Sequence, residues 1–254
     1  MPTVEPLPRQ PAAVADLGHE RALVVADVHV GIEAALRYER GVELPSDADS
    51  RRERLLSLLA ETGADRLVVL GDLGHRIGDP KGDELAELNT LVDAVTDRVA
   101  MTLVTGNHDA GLADVVAARV DVTPGSGVRL GDVGFAHGHT WPSEAVLSAP
   151  TVCTGHEHPT VRLTDAVGGS RTEKAWLRGS LARDVFAEGL GVDAADLDWH
   201  DPDLVVFPAF NDRSGGTYVN VEGQGFLSPF LPEGLVDGEA YLLDGTRLGD
   251  YRRV

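Results

Sequence analysis

The chain is nearly free of lysine and cysteine: two of its 22 basic residues are lysines, Lys81 and Lys174, and Cys153 is the only cysteine. One cysteine excludes an internal disulfide and a cysteine-built zinc site. In the apolar run "APTVCTG" it reads as a buried strand residue. No apolar run reaches the ~20 residues of a membrane-spanning helix. The first residues, "MPTVEPLPRQPAAVADLGHE", are broken by prolines and have no basic stretch leading into an apolar core. The expectation is a cytoplasmic protein with no membrane partner, in which residues 1–20 form an N-terminal extension and 21–254 a single domain. Against 41 acidic residues the net charge is -19, spread along the chain without an acidic tail. With lysine so scarce, that pattern predicts a halophilic protein, because at about 1 M salt the Debye length falls to roughly 3 Å and scattered carboxylates stop repelling one another. In dilute buffer the same charge opposes binding to a polyanion; in molar salt it does not.

Through the first half, short β-rich apolar runs alternate with helical patterns: "ALVVAD", "SDADSRRERLLSLLAETG", "RLVVLGD", "DELAELNTLVDAVTD", "AMTLVTGNHD". Repeated strand, helix, strand units predict a parallel sheet. Ser46 or Asp47 is placed to cap the first of these helices, and Gly63 to end it. After residue 120 the pattern shifts to tight turns. "VRLGDVGFAHG" reads as a hairpin turning at Gly131-Asp132, and "AYLLDGTRLG" as another at Asp244-Gly245. "KAWLRGSL" and "DLVVFPAF" read as strands, and "DAVGGSRTEK" as a mobile loop. The fold class is α/β, a layered β-sandwich flanked by helices, parallel first and antiparallel later.

Five polar motifs sit mostly where apolar runs end: "ADVH", "GDLGH", "GNHD", "AHGH" and "GHEH". They hold seven of the nine histidines. In α/β sheets, ligands bind beyond the carboxyl ends of strands, so distant motifs can share one site. Carboxylates, imidazoles and an amide without a thiolate suit Mn²⁺, Fe, Zn²⁺ or Co²⁺. In an extended segment, residues two apart point the same way. Asp27 and His29 could thus grip one ion, and so could His156 and His158, with Glu157 facing solvent. Asp72 could bridge two ions, and a cation pair serves phosphate-ester hydrolysis.

In this order the motifs resemble the calcineurin-like metallophosphoesterase superfamily, over residues 27 to 158. "ADVHVGIEAALRYERGVELP", the histidine after "GDLG", and "FPAFNDRSGG" are similar to archaeal SbcD-related, ICC-like phosphoesterases and to the bacterial DNA-ligase-associated phosphoesterase. That likeness runs from about residue 22 to 247. It implies two divalent metal ions, Mn²⁺ foremost. Asp27, His29, Asp72 and His158 would hold one; Asp72, Asn107, His137 and His156 would hold the other. His137 is preferred to His139 because the superfamily places the ligand before a glycine. His108 would contact the scissile phosphate and protonate the leaving oxygen, with Asp109 orienting it. His75 matches a histidine near the phosphate in SbcD-type nucleases.

Arg76 then becomes a candidate for substrate phosphate, beside the plainer reading of a solvated guanidinium. Arg37 and Arg40 read as phosphate contacts or helix-face ion pairs, Trp141 and Trp176 as packing residues or base platforms, and Phe207 to Phe210 as core or as a scaffold under the site. Three functions follow as expectations. The first is a phosphodiesterase or nuclease acting on DNA in repair or processing. The second is a diesterase for a cyclic nucleotide or nucleotide-derived metabolite, favoured by the lack of a basic groove and of the capping domain of SbcD-type nucleases. The third is a non-catalytic, metal-stabilised subunit docking a helicase, ligase or nuclease.

Overall fold

The computed structural model describes residues 3–254, except for the side chains of residues 39 and 40, so Arg40 lies outside the described residues. Fourteen strands and six α-helices form four layers. In chain order the first half comprises β1 (Val4–Pro6), β2 (Ala12–Asp16), β3 (Arg21–Val25), α1 (Ile32–Arg40), α2 (Ala48–Thr62), β4 (Arg66–Leu70), α3 (Gly82–Thr96), β5 (Ala100–Val104), α4 (Leu112–Val116) and β6 (Asp121–Thr123). The second half comprises β7 (Val128–Leu130), β8 (Val133–Ala136), α5 (Glu144–Leu147), β9 (Thr151–Thr154), β10 (Thr160–Thr164), β11 (Ser170–Leu181), α6 (Arg183–Leu190), β12 (Asp203–Val206), β13 (Leu235–Leu242) and β14 (Arg247–Asp250).

Alternation along the strands explains the layers. On β3 and β4, Leu23, Val25, Leu67 and Val69 face helices α2 and α3, packing with Leu55, Leu88 and Val95. Their neighbours Ala22, Val24, Val68 and Leu70 face the second sheet, where Phe135, Cys153, Trp176, Val205 and Phe207 meet them. The far side of the second sheet packs Val152, Leu177 and Val206 against Leu147 and Phe186 of α5 and α6. Strands buried on both faces carry continuous apolar runs because a period of two then has no polar phase.

The first sheet runs β1-β2-β3-β4-β5-β6, with β3 to β6 parallel. The second runs β14-β13-β11-β12-β9-β8-β7, with β10 paired to β11. Only β8, β9 and β12 are mutually parallel in it. Both expected hairpins form, β7-β8 and β13-β14. Gly63 ends α2 in the left-handed conformation. At the helix's start, Ser46 Oγ accepts the Ala48 N–H, while the Asp47 carboxylate pairs with Arg213.

Two expectations need correction. Within the expected extension 1–20, the described residues 3–20 are part of the fold: β1 and β2 add two antiparallel strands to the first sheet, and Val4, Ala13 and Ala15 enter the core between the sheets. Of the prolines that hide this pattern, Pro6 is tolerated because β1 is an edge strand, while Pro8 and Pro11 fall in the turn between β1 and β2. The segment read as a mobile loop is the turn of the β10-β11 hairpin together with the first five residues of β11, Ser170 to Lys174. There the Asp165 carboxylate accepts the N–H groups of Val167 and Gly169.

Candidate metal centre

The carboxyl ends of β3, β4, β5, β8 and β9 release the five motifs, and the parallel registers place these ends on one side of the sandwich. The loops are strained there. Asp27, His29, Asp72, His156 and His158 all have positive φ, five of the eight described non-glycine residues that do. Such conformations cost ~1–3 kcal/mol each and persist where a site demands them. The extended geometry expected for Asp27-His29 and His156-His158 is therefore replaced by a left-handed residue at each end of each triplet.

Two motif glycines have steric causes. A Cβ on Gly71, itself at φ +76°, would lie 2.2 Å from His137 Nδ1, and one on Gly106 would lie 2.1 Å from Asp72 Oδ1. Any side chain at either position would displace a candidate ligand.

The structure brings the candidate ligands into two groups, Asp27-His29-His158 and Asp72-His137-His156, each with donor atoms within 4.8 Å of one another. In the first, the Nε2 atoms of His29 and His158 face each other at 3.3 Å, and Asp27 Oδ1 lies 3.2 Å from His158 Nε2. In the second, His137 Nε2 lies 3.5 Å from Asp72 Oδ1 and 3.2 Å from Asn107 Oδ1. Backbone carbonyls select the tautomers: His137 Nδ1–H donates to Leu70 at 2.7 Å, and His158 Nδ1–H donates to Gly215 at 2.8 Å. Each ring then turns Nε2 toward the carboxylates, as metal-ligating histidines do. His139 joins neither group, and its buried Nδ1 has no partner among the described residues.

The electrostatics fit cations. Burial, together with the neighbouring Asp27 charge, pushes Asp72 up to about 8. Burial would raise Asp27 as well, but His158 holds it below its ordinary value; His158 in turn is raised by Asp27 against its own burial. Burial lowers His137 and His156 to about 4 and His29 to about 3, so these rings are neutral at pH 7 with lone pairs available. Two buried carboxyl groups beside three neutral imidazoles form a donor set that a divalent ion would satisfy by displacing the protons on Asp72 and His158.

His108 lies at the same centre, Nε2 3.8 Å from Asp72 Oδ2, and its backbone N–H donates to Asp72 Oδ1. Its Nδ1 contacts the His75 carbonyl at 2.5 Å. Among the described residues no hydrogen bond joins the Asp109 carboxylate to the His108 ring that it was expected to orient. That buried carboxylate accepts the N–H groups of Gly106 and Gly74 and so joins the second and third motif loops. His75 is adjacent, edge-on to His29 and stacked on His108.

His29, Asp72, His75, Asn107, His108, His156 and His158 line a cavity of about 500 Å³, walled on one side by Ile32, Ala35 and Leu36 of α1. Arg213 lines it and Arg76 does not; Arg76 is exposed beside it. Arg213 was missed because "FPAFNDRSGG" reads as packing and a turn. Its polarity contrasts with the preceding apolar run, but only the tertiary fold carries it to the cavity. It is held by Glu33 at 3.2 Å and by Asp47. Glu33 in turn pairs with Arg51, which also pairs with Glu87. Phe207 and Phe210 are buried in the core, the first between the sheets and the second under the helices, and Trp141 and Trp176 pack on Phe186 and Phe207 respectively. Arg37 pairs with Asp83 of α3. Glu157, expected in solvent, is fully buried: its carboxylate accepts the N–H groups of Leu227 and Ser228.

A family model described as calcineurin-like phosphoesterase matches residues 20–207. No curated protein matches the chain. Among solved structures, Pseudomonas putida nuclease MPE is similar at 19% identity and TM-score 0.56, over 96% of this chain and 100% of that one. YfcE, a phosphoesterase from E. coli, is similar at 17% identity and TM-score 0.39, over 90% of this chain and 96% of that one.

Proposed function

The chain belongs to the calcineurin-like phosphoesterase family, of metal-dependent phosphoester hydrolases, and from that premise we propose that it is a two-metal phosphodiesterase, a nuclease acting on DNA. The observation that carries the diesterase reading is the pair of donor groups, Asp27-His29-His158 and Asp72-His137-His156, beside a cavity that His108 also lines. The DNA substrate is supported by the sequence resemblance to ligase-associated and SbcD-related phosphoesterases and by likeness over the full length to a nuclease.

Asp27, His29, Asp72 and His158 would hold one divalent ion, and Asp72, Asn107, His137 and His156 the other, with Mn²⁺ the first choice. Ions there supply Lewis acidity and lower the pKa of water. The chain supplies the rest. The His75 carbonyl takes His108 Nδ1–H, which leaves Nε2 to carry a proton to the leaving oxygen. Arg213 offers its guanidinium to a phosphoryl oxygen at the cavity wall. Asp109 keeps the two loops that carry Asp72 and His108 in register.

The net charge of -19 favours a second reading, a small nucleotide-derived diester as substrate. Rates on DNA oligonucleotides, cyclic nucleotides and bis(p-nitrophenyl) phosphate, in high salt with Mn²⁺, separate the two. His108→Ala should lower turnover ~10²-fold or more while bound metal stays constant, and Asp72→Asn should abolish metal-dependent turnover. Full activity in His108→Ala would remove the proposed acid.

A further inference from the structure

Glu84, in the first turn of α3, is 5% exposed and forms no ion pair among the described residues. A buried carboxylate is costly unless hydrogen bonds replace its lost water. The replacements here are two backbone donors: Glu84 Oε1 accepts the N–H of His75 at 3.1 Å and that of Arg76 at 2.9 Å. The His75 N–H is shared with the Val30 carbonyl, at 3.0 Å, so the bond from Arg76 is the one made to Glu84 alone. That N–H belongs to the peptide group joining His75 to Arg76, and the carbonyl of the same group takes His108 Nδ1 at 2.5 Å. A carboxylate, a peptide and an imidazole are thus aligned in series. Hydrogen bonds in series polarise one another, and a charged acceptor on an amide N–H makes its carbonyl a stronger acceptor.

The packing leaves Glu84 little freedom to do anything else. Its side chain lies against Gly31, where an added Cβ would come within 2.5 Å of Glu84 Cγ, and Oε1 lies 3.5 Å from where a Cβ on Gly74 would sit. The carboxylate is therefore wedged between the first two motif loops and aimed at one peptide. Glu87, one turn further along α3, takes a different partner, the Gly31 N–H at 3.0 Å.

We propose that Glu84 is a positioning residue for His108. It acts through the His75-Arg76 peptide to keep Nδ1 as the donor and Nε2 as the atom turned to the reacting phosphate. The proposal rests on the reading of His108 as the acid that protonates the leaving oxygen. A residue that only held the loops together would, on removal, disturb metal content and all substrates alike. One that orients an acid is felt most where the leaving group needs a proton most.

The test uses the Mn²⁺-loaded full chain and a series of methyl aryl phosphodiesters, from p-nitrophenyl to phenyl. Glu84→Ala should reduce kcat on the phenyl ester roughly tenfold or more and on the p-nitrophenyl ester less than about threefold, with KM and bound metal unchanged. Glu84→Gln, which can still accept both N–H groups, should restore kcat to within about threefold of the parent. His108→Ala, as reference, should show the same steepened dependence on the leaving group. An equal loss across the series in Glu84→Ala, or none, beside a steepened His108→Ala overturns the role of Glu84 alone. A His108→Ala variant with unaltered dependence overturns the reading of His108, and the proposal with it. Nitrogen-15 NMR of the metal-free parent protein gives a readout independent of turnover and of how the variants fold. His108 should be the Nδ1–H tautomer, and an Nε2–H tautomer overturns the proposal.

Discussion

Replacing Glu157 tests whether the loop between two candidate ligands is held from beneath. Its carboxylate is fully buried and faces two backbone donors, with Oε1 2.9 Å from Leu227 N and 2.6 Å from Ser228 N. Hydrogen bonds to a charged group contribute ~1.5–3 kcal/mol each, so the pair is worth ~3–6 kcal/mol. Glu157→Ala loses both and strands two N–H groups, but it also removes a buried charge. The expected net loss is ~2–4 kcal/mol. Because Oε1 takes both donors, Glu157→Gln can keep them as neutral bonds and should cost only ~1 kcal/mol. Urea unfolding of the metal-free protein, in chelator at constant salt and pH 7, measures both. Calorimetric Mn²⁺ titration should show weaker binding for Ala than for Gln, because His156 and His158 flank the freed residue. An Ala variant within ~1 kcal/mol of the parent, or a Gln variant as damaging as Ala, would refute the reasoning.

Arg51→Ala should destabilise the protein by ~3–5 kcal/mol in the same assay, because Glu33 and Glu87 would remain buried without their shared guanidinium. A change below ~1 kcal/mol would mean that Arg213 alone can neutralise Glu33. The metal-free protein should also weaken in mild acid. Burial lowers His137 from 6.5 to about 4, so the unfolded chain takes up the proton first. The contribution of His137 is complete above about pH 6.5 and is lost as pH falls toward 4, up to ~3 kcal/mol in all. His158, raised by Asp27, acts in the opposite sense and loses its contribution as pH rises above neutrality. Unfolding midpoints between pH 7 and 4.5 read the slope, and an identical slope in His137→Gln would contradict the assignment.

Much of the fold was legible because its cause is local. The alternation of Ala22, Leu23, Val24 and Val25 encodes a strand buried on both faces. Gly63 encodes a helix end, and Gly131-Asp132 a hairpin turn. The candidate ligands were legible for the same reason, since each motif follows its own strand. What could not be read depends on chain segments far apart. The prolines near the N-terminus concealed two strands because the tolerance of Pro6 rests on edge position, which no local pattern states. The motif triplets were expected to be extended, whereas the fold holds their ends at positive φ. Glu157 was assigned to solvent from its alternation with two histidines. The partners that bury it, Leu227 and Ser228, lie about seventy residues away.

The sequence by itself determined the alternation of strands and helices from β3 to β5, the residue types at five strand ends and the chemistry those types can perform. Tertiary structure alone decided how they are used. It placed His137, and not His139, in a candidate donor group, with the Leu70 carbonyl as its partner. It gave the orientation of His108 to the His75 carbonyl and freed Asp109 to join two loops. It carried Arg213 to the cavity while leaving Arg76 outside it, and it aimed Glu84 at one peptide. The physical reason is common to all of them. A side chain's identity fixes which protons and lone pairs it can offer, but the partner that orients them is most often a backbone group from another segment, and only folding brings the two together.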